Sequence, residues 1–354
     1  MNDYPDYDRA ALGDRLQLLK PQVAEQVTQA FLERHPEWLS KYGERARKFG
    51  IEDAQFHIDF LRGAVEAASL PAFEDYCEWA AGLLRSRAIA SHFLVENLTQ
   101  IESALRAFLS AEEQALVAPI LQAGRAACLR EKRRPAQPDT PLALTRNVYL
   151  QSILIGARAG SARIVEEALA GGAGIFDIYT QVFQESLYEV GRLWEEGKIS
   201  VSVEHRATAI TQFVMAGIYS RALPARPSAP SRQAIVTGVA GELHQIGGNM
   251  VADVLEYAGW NVEFLGTDAP HSGILDAVQA QDSDLLCIST TMLFNVPNVV
   301  RLIRDVRARS PKLRVLTGGA VFRAKPDLWA DVGADGFAPN LHAAIDVAGQ
   351  LVSG

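Results

Sequence analysis

Ala234-Ile235-Val236-Thr237-Gly238-Val239-Ala240-Gly241-Glu242-Leu243-His244-Gln245-Ile246-Gly247-Gly248 decides the fold of the last third of this chain. It opens on an apolar, β-branched run, turns through a short loop, and passes two glycines into a helical pattern. A strand–loop–helix unit of this kind puts its loop at the carboxyl edge of a parallel sheet, where α/β folds hold their ligands. His244 stands on that loop, two residues after Glu242. The imidazole offers a nitrogen to a metal. The carboxylate is placed to hold the other ring N–H, which orients the ring and raises its basicity. A lone loop histidine would more often belong to a plain flavodoxin-like domain.

Downstream, short β-rich runs alternate with helices. Strands are expected at 234–239, 262–265, 285–289, 314–316 and 336–338, with helices at 249–257, 297–308 and 341–351. Alternation argues a parallel sheet covered by helices on both faces, and right-handed crossovers favour the order 2-1-3-4-5. This domain is expected to cover 231–354.

Upstream the pattern is helical throughout. Runs at 149–157, 161–170, 175–191 and 203–222, broken at Gly171-Gly172-Ala173-Gly174, predict a four-helix bundle over 142–225. Residues 1–130 predict a first domain of six or so helices. In that reading Pro36 opens the second, Gly50 closes it, 51–68 is the third and 71–84 the fourth. The fold class is therefore α plus α/β: a helical domain, a four-helix bundle cap and a flavodoxin-like, Rossmann-like five-stranded sheet. The charged, proline-rich stretches 130–141 and 224–230 read as linkers.

Composition bounds the function. A formal net charge of −8 gives no global attraction to nucleic acid or anionic membrane. Cys77, Cys128 and Cys287 are too few and too scattered for a disulfide framework or a zinc site. The start, Met1-Asn2-Asp3-Tyr4, is polar and acidic, and no apolar run approaches the roughly 18–20 residues of a membrane span. A cytoplasmic protein with no membrane and no direct nucleic-acid contact is expected.

Three loops of the last domain are distinctive: Glu242, His244 and Gly247 after the first strand, Ser289-Thr290-Thr291 after the third, and Gly318-Gly319 after the fourth. Between Gly247 and Ser289 stand 41 residues, and between Thr291 and Gly318 stand 26. This pattern resembles the cobalamin-binding domain of methionine synthases, methylmalonyl-CoA mutases and corrinoid methyl carriers. Its signature is Asp-x-His-x-x-Gly, Ser-x-Leu and Gly-Gly at such spacings. The resemblance implies that His244 is the lower axial ligand of cobalt. It also implies that the displaced benzimidazole tail runs past Ser289, Thr291, Gly318 and Gly319, and that Gly247 belongs to the cofactor-binding loop. Two positions depart from the pattern: Glu242 stands for the usual Asp, and Thr291 for the Leu. The extra methylene of Glu242 is expected to lengthen or re-aim its bond to His244.

In the bundle, nine residues separate Trp194 from Glu204, and His205 follows. This resembles the bundle of light-dependent, cobalamin-binding transcriptional regulators, where such residues surround a 5′-deoxyadenosyl group. A large aromatic ring fills space against that group, and a carboxylate and an imidazole bond its polar atoms. Methyl carriers have a related Glu-His sequence. The plain reading is a core tryptophan and a carboxylate favoured at a helix N-terminus. Those regulators carry a histidine directly after the tryptophan, whereas this chain has Glu195.

The front domain lacks a basic recognition helix, which argues against direct DNA binding. Phe56-His57-Ile58-Asp59-Phe60-Leu61 and Phe73-Glu74-Asp75-Tyr76-Cys77-Glu78-Trp79 resemble in texture the photocobilins, which pair cobalamin with a bilin, usually biliverdin. The resemblance implies that His57, Tyr76 and Trp79 line a slot and that Arg85 and Arg87 hold propionates. As bare residues, the aromatics read as helix core and the arginines as a solvated face.

The combined reading is a cytoplasmic photoreceptor, not an enzyme, using adenosylcobalamin and a biliverdin second chromophore. It would signal through homo-oligomer assembly or a protein partner. Two rivals stand beside it. One is a corrinoid methyl carrier serving separate methyltransferases, and the other is a light- or redox-responsive antirepressor.

Overall fold

A computed structural model describes residues 8–130, 139–222 and 232–353. The linker stretches expected at 130–141 and 224–230 lie almost wholly outside the described residues. The chain divides into two compact units. One is Met1–Lys132 together with Met292–Asn298, and the other is Arg133–Thr291 with Val299–Gly354.

Among the described residues, the first unit carries α1 (Arg9–Arg34), α2 (Pro36–Tyr42), α3 (Glu44–Glu66), α4 (Leu70–Ser86), α5 (His92–Leu105) and α6 (Ala111–Ala127). Local chemistry sets their ends. Pro36 opens α2 at its first position, where a missing N–H costs nothing. Ser69 caps α4, and Ser110 with Glu113 forms a reciprocal capping box on α6. The second break falls at Gly43, not at Gly50. Gly43 takes φ +60°, whereas Gly50 lies inside α3. There its missing side chain makes room: a Cβ would stand 2.7 Å from Thr28 Cγ2 of α1. The third helix therefore begins at Glu44. Leu16, Val23, Ile58, Leu61, Phe73, Leu94, Leu98 and Ile101 are buried in this unit.

The second unit begins with the four-rod bundle: α7 (Ala143–Ile155), α8 (Arg158–Ala170), a third rod, and α11 (Val201–Ala222). The third rod is composite. A short α9 (Ile175–Asp177) runs through a π-helical segment, Ile178–Gln184, into α10 (Glu185–Glu195). Gly156 closes α7 in the left-handed region at φ +83°.

The α/β part carries β1 (Gln233–Val239), α12 (Gln245–Tyr257), β2 (Asn261–Ala269), α13 (His271–Gln281), β3 (Leu285–Ser289), a 3₁₀ turn (Leu293–Asn295) and α14 (Val296–Arg309). It continues through β4 (Arg314–Gly318), α15 (Ala320–Ala324), α16 (Leu328–Asp331), β5 (Gly336–Ala338) and α17 (Leu341–Ser353). The five strands are parallel in the order β2-β1-β3-β4-β5, as the alternation predicts. Helices α13, α15 and α16 had no counterpart in the sequence reading. Their apolar stripes are short, and α15 and α16 are little more than one turn each.

One core is shared by the bundle and the α/β part. Tyr149, Tyr179, Val182, Phe183, Val214 and Met215 of the bundle pack with Ile246, Met250 and Val254 of α12 and Leu341 of α17. Polar bonds cross the same seam. Tyr179 Oη donates to Asp253 Oδ2 at 2.5 Å, and Tyr219 Oη donates to Glu256 Oε2. A second core, under the sheet, collects Ala234, Val236, Leu255, Trp260, Leu285, Cys287 and Leu316.

Candidate functional site

Parallel register brings the three loops together. Val236 pairs with Cys287 and Ser289 with Gly318, so the chain leaves β1, β3 and β4 at one carboxyl edge. At the first of these ends the loop turns at Gly241, φ +87°, whose N–H donates to Asp268 Oδ1 at 2.8 Å.

Glu242 is fully buried, and its carboxylate organises the site. Oε1 accepts from His244 Nδ1 at 2.6 Å and from the His244 backbone N–H at 3.0 Å. Oε2 accepts from the Thr291 N–H at 2.7 Å. Burial pushes this carboxyl up. The bonds from the His244 ring and the Thr291 amide outweigh it and hold the group below the ordinary Glu value. The extra methylene of Glu242 therefore does not lengthen the bond to His244. It is accommodated beside Gly238, where a Cβ would stand 3.2 Å from Glu242 Cγ.

A carboxylate only accepts, so His244 Nδ1 donates to it, which leaves Nε2 as the ring atom that could meet a metal. The side chain is 55 % exposed, and the residue stands at the N-cap position of α12, where its ring makes no capping bond. Nearby side chains are small. A Cβ on Gly247 would come no nearer than 4.0 Å to Ser289 Oγ, while one on Gly248 would meet the Phe264 ring at 3.3 Å and Ser289 Cβ at 3.6 Å. Gly319, at φ +103°, is needed for a different reason. A Cβ there would lie 2.1 Å from the Thr290 carbonyl oxygen, so the third loop closes on the second only through glycine. The Thr290 N–H donates to Gly318 O at 2.9 Å, and its buried Oγ1 has no hydrogen-bond partner.

These residues fit a corrinoid. A corrinoid would need a single nitrogen from the protein, and the exposed His244 ring, oriented by Glu242, would supply it through Nε2. His244 would hold the cobalt, and the strip of Gly247, Ser289 and Gly318 would border the tail. Thr291 acts through its backbone amide, a donor that does not depend on which side chain stands there. Sequence reasoning missed that amide and Asp268, because backbone donors and cross-strand caps leave no mark on residue type.

In the bundle, Trp194 is half-buried at the end of α10. Glu204 and His205 lie in the first turn of α11 and bond each other, and Thr208 Oγ1 donates to Glu204 at 3.2 Å. The His205 side chain is 76 % exposed. Helix α10 reaches the carboxyl edge of the sheet through Tyr188, whose Oη accepts from Arg323 at 2.6 Å, four residues past Gly319.

The residues expected to line a bilin slot are placed differently. His57 Nδ1 and Tyr76 Oη are 2.6 Å apart, and Phe60 stacks on Tyr76 with centroids at 3.6 Å. Their polar atoms are spent on each other and the rings fill the space between α3 and α4. Burial pushes the His57 ring down to about 4. Arg85 donates to the carbonyls of Cys128 and Arg130 at 3.3 and 3.4 Å, closing the end of α6. Arg87 bonds the Leu83 carbonyl on an exposed face. Both arginines serve helix ends, so neither is a free propionate cation.

Comparison with known proteins shows the family. A B12 binding domain matches residues 232–345, and a second B12 binding domain model matches residues 145–218. The chain is 30 % identical over 199 residues to dimethylamine corrinoid protein 1 of Methanosarcina mazei, covering 54 % of this chain and 83 % of that one. It is 29 % identical over 210 residues to the dimethylamine corrinoid protein of Methanosarcina barkeri, covering 58 % and 96 %. The structure of the Methanosarcina barkeri monomethylamine corrinoid protein superposes with a TM-score of 0.53 at 21 % identity, covering 59 % of this chain and 99 % of that one. That likeness supports the bundle-plus-sheet fold. The chain belongs to the B12-binding corrinoid protein family.

Proposed function

We propose that this chain is a corrinoid carrier that serves methyl transfer, with His244 as the residue that would hold the cobalt. The observation that carries this reading is the match to methylamine corrinoid proteins across both the bundle and the sheet domain. When bound, the corrinoid supplies a cobalt that accepts and releases a methyl group. The chain's part is to hold and orient it. Glu242 fixes the His244 tautomer, the Thr291 amide fixes Glu242, and small residues leave room for the tail. The reacting partners would be separate methyltransferases, and the chain itself would not be an enzyme.

A second reading, a light sensor, is favoured by one observation. Residues 8–130 form a helical unit of their own outside both B12-binding matches. In that reading Trp194, Glu204 and His205 receive the adenosyl group of adenosylcobalamin. Light then changes homo-oligomer assembly or a protein partner, and a biliverdin would require the His57–Tyr76 nest to open.

The test is size-exclusion chromatography and absorption spectroscopy of protein loaded with methylcobalamin or adenosylcobalamin, in the dark and after green light, with and without added biliverdin. A carrier binds both alkyl forms and keeps its size on illumination. Selective retention of the adenosyl form, with a light-driven change in size, would overturn the carrier reading.

A further inference from the structure

We infer that Cys77 of α4 and Cys128 at the end of α6 form a redox-active pair, which a peroxide oxidises to a disulfide clasping the two helices. The pair lies wholly within the first unit and does not depend on the corrinoid reading.

Fifty residues separate the two cysteines along the chain, so no spacing in the sequence marks them as partners. Packing does. Cys77 Sγ rests on α6, where a Cβ on Gly124 would stand 2.8 Å from it. Cys128 follows Gly124 by four residues and so lies on the same face, one turn on. Arg130, two residues later, reaches back to α4 and bonds Glu74 at 2.7 Å and Glu78 at 3.2 Å. Those carboxylates stand on either side of Cys77, on its own face of α4. Arg85, further along α4, donates to the carbonyls of Cys128 and Arg130 at 3.3 and 3.4 Å. The end of α6 is thus pinned to α4 both before and after Cys77. Both cysteines are fully buried free thiols.

The pair is polarised. The Cys77 S–H donates to the Cys128 sulfur, and that bond, with the Arg85 charge nearby, outweighs burial and holds the Cys128 thiol below its ordinary value. The same bond, together with burial, pushes the Cys77 thiol up. Cys128 is therefore the attacking thiol and Cys77 the resolving one. Cys287, alone in the sheet, is pushed up to about 12 by burial and has no such partner among the described residues. Access is through the helix end. Cys128 is the C-cap of α6, beside Leu129, which is 70 % exposed, and a last turn opens at little cost. The Cys128 thiolate attacks one oxygen of hydrogen peroxide, the O–O bond breaks, and hydroxide leaves with the proton that Cys128 gave up, as water. Cys77 sulfur then attacks the sulfenic acid, the S–O bond breaks, and the Cys77 proton leaves with the hydroxyl as a second water. Two thiols and one peroxide become one disulfide and two waters.

The experiment treats the folded full chain with hydrogen peroxide, removes the excess, then unfolds it and alkylates the free thiols for mass spectrometry. The reduced chain has three cysteines to alkylate. After peroxide only Cys287 is expected to react, and proteolysis without reductant should give one peptide pair linking Cys77 to Cys128. Dithiothreitol should restore all three thiols. Dimedone, which traps sulfenic acids, gives a second readout. Little label is expected at Cys128 in the wild type, and much more in Cys77→Ala, where nothing resolves the sulfenic acid. Cys77→Ser serves if the alanine variant does not fold, and the wild-type mapping needs no variant at all. Three alkylated thiols after peroxide, or a disulfide that joins two copies of the chain instead of Cys77 to Cys128, overturn the inference. Equal dimedone labelling of Cys128 in wild type and folded Cys77→Ala also overturns it, because Cys77 would then not be the resolving thiol.

Discussion

Glu242 and Thr291 lie 49 residues apart and are joined by one hydrogen bond of 2.7 Å between a carboxylate oxygen and a backbone amide. The other oxygen of the same carboxylate holds His244 at 2.6 Å. One buried side chain thus ties the loop after β1 to the loop after β3 and sets the tautomer of the exposed ring. The family signature places these residues by spacing. The bond between the loops gives that spacing a physical reason.

Glu242→Gln keeps the volume but puts an amide where the carboxylate accepts three N–H bonds. Cobalamin bound through His244 should weaken about 10–100-fold, as outer partners of ligating histidines typically do. His244→Ala should remove histidine coordination entirely. Titration with hydroxocobalamin, followed by absorption, checks both.

The same carboxylate gives an acid limb. Its folded value lies below the ordinary 4.5. Its contribution to stability is therefore complete above 4.5 and lost as pH falls below it toward the folded value. The difference in Tm between wild type and Glu242→Gln should be largest near neutrality and shrink in acid. A gap that stays constant with pH would contradict this.

His57 adds a second acid limb at higher pH. Its folded value is about 4 against an ordinary 6.5. The unfolded chain binds the extra proton in that interval, so stability falls as pH drops from 6.5 to 4, by about 2–3 kcal/mol. His57→Leu should flatten this part of a pH–Tm profile of the full chain.

Asp253 works in the opposite sense. Burial raises its carboxyl to about 6 from 3.8, while Tyr179 Oη, bonded at 2.5 Å, partly offsets the rise. Because the folded state holds the proton more tightly, this group's contribution is full below 3.8 and declines as pH rises through 6. Asp253→Asn keeps an acceptor for Tyr179 and removes the charge. It should be neutral or stabilising by about 1–2 kcal/mol at pH 7, after allowing for solvent screening of a half-buried group. Tyr179→Phe should cost about 1–3 kcal/mol by leaving Asp253 unpaired. Urea unfolding at pH 7 distinguishes the two.

Gly319→Ala should destabilise by several kcal/mol. The new Cβ would stand 2.1 Å from the Thr290 carbonyl, at a φ of +103° that an L side chain rarely adopts. Differential scanning calorimetry of the cofactor-free protein would show this as a large loss of Tm. An unchanged Tm would mean that the two loops do not close as described.

By itself the sequence determined the parallel sheet, its order and the ligand edge. Apolar runs such as those around Ile235 and Leu286 are readable because a strand buried on both faces tolerates little else. It also determined His244, Ser289 and Gly318 as a set, since spacing along the chain is fixed whatever the fold. Tertiary structure decided what each residue spends its atoms on. His57, Tyr76 and Arg85 have side chains suited to a chromophore, yet packing pairs the first two and sends the third to a helix end. Gly50 has the composition of a helix stop and lies inside α3 because Thr28 needs its space. Thr291 acts through an amide that every residue but proline possesses. Residue type states which bonds a side chain is able to make. Which of them it makes depends on neighbours brought from far along the chain, and those neighbours exist only once the chain has folded.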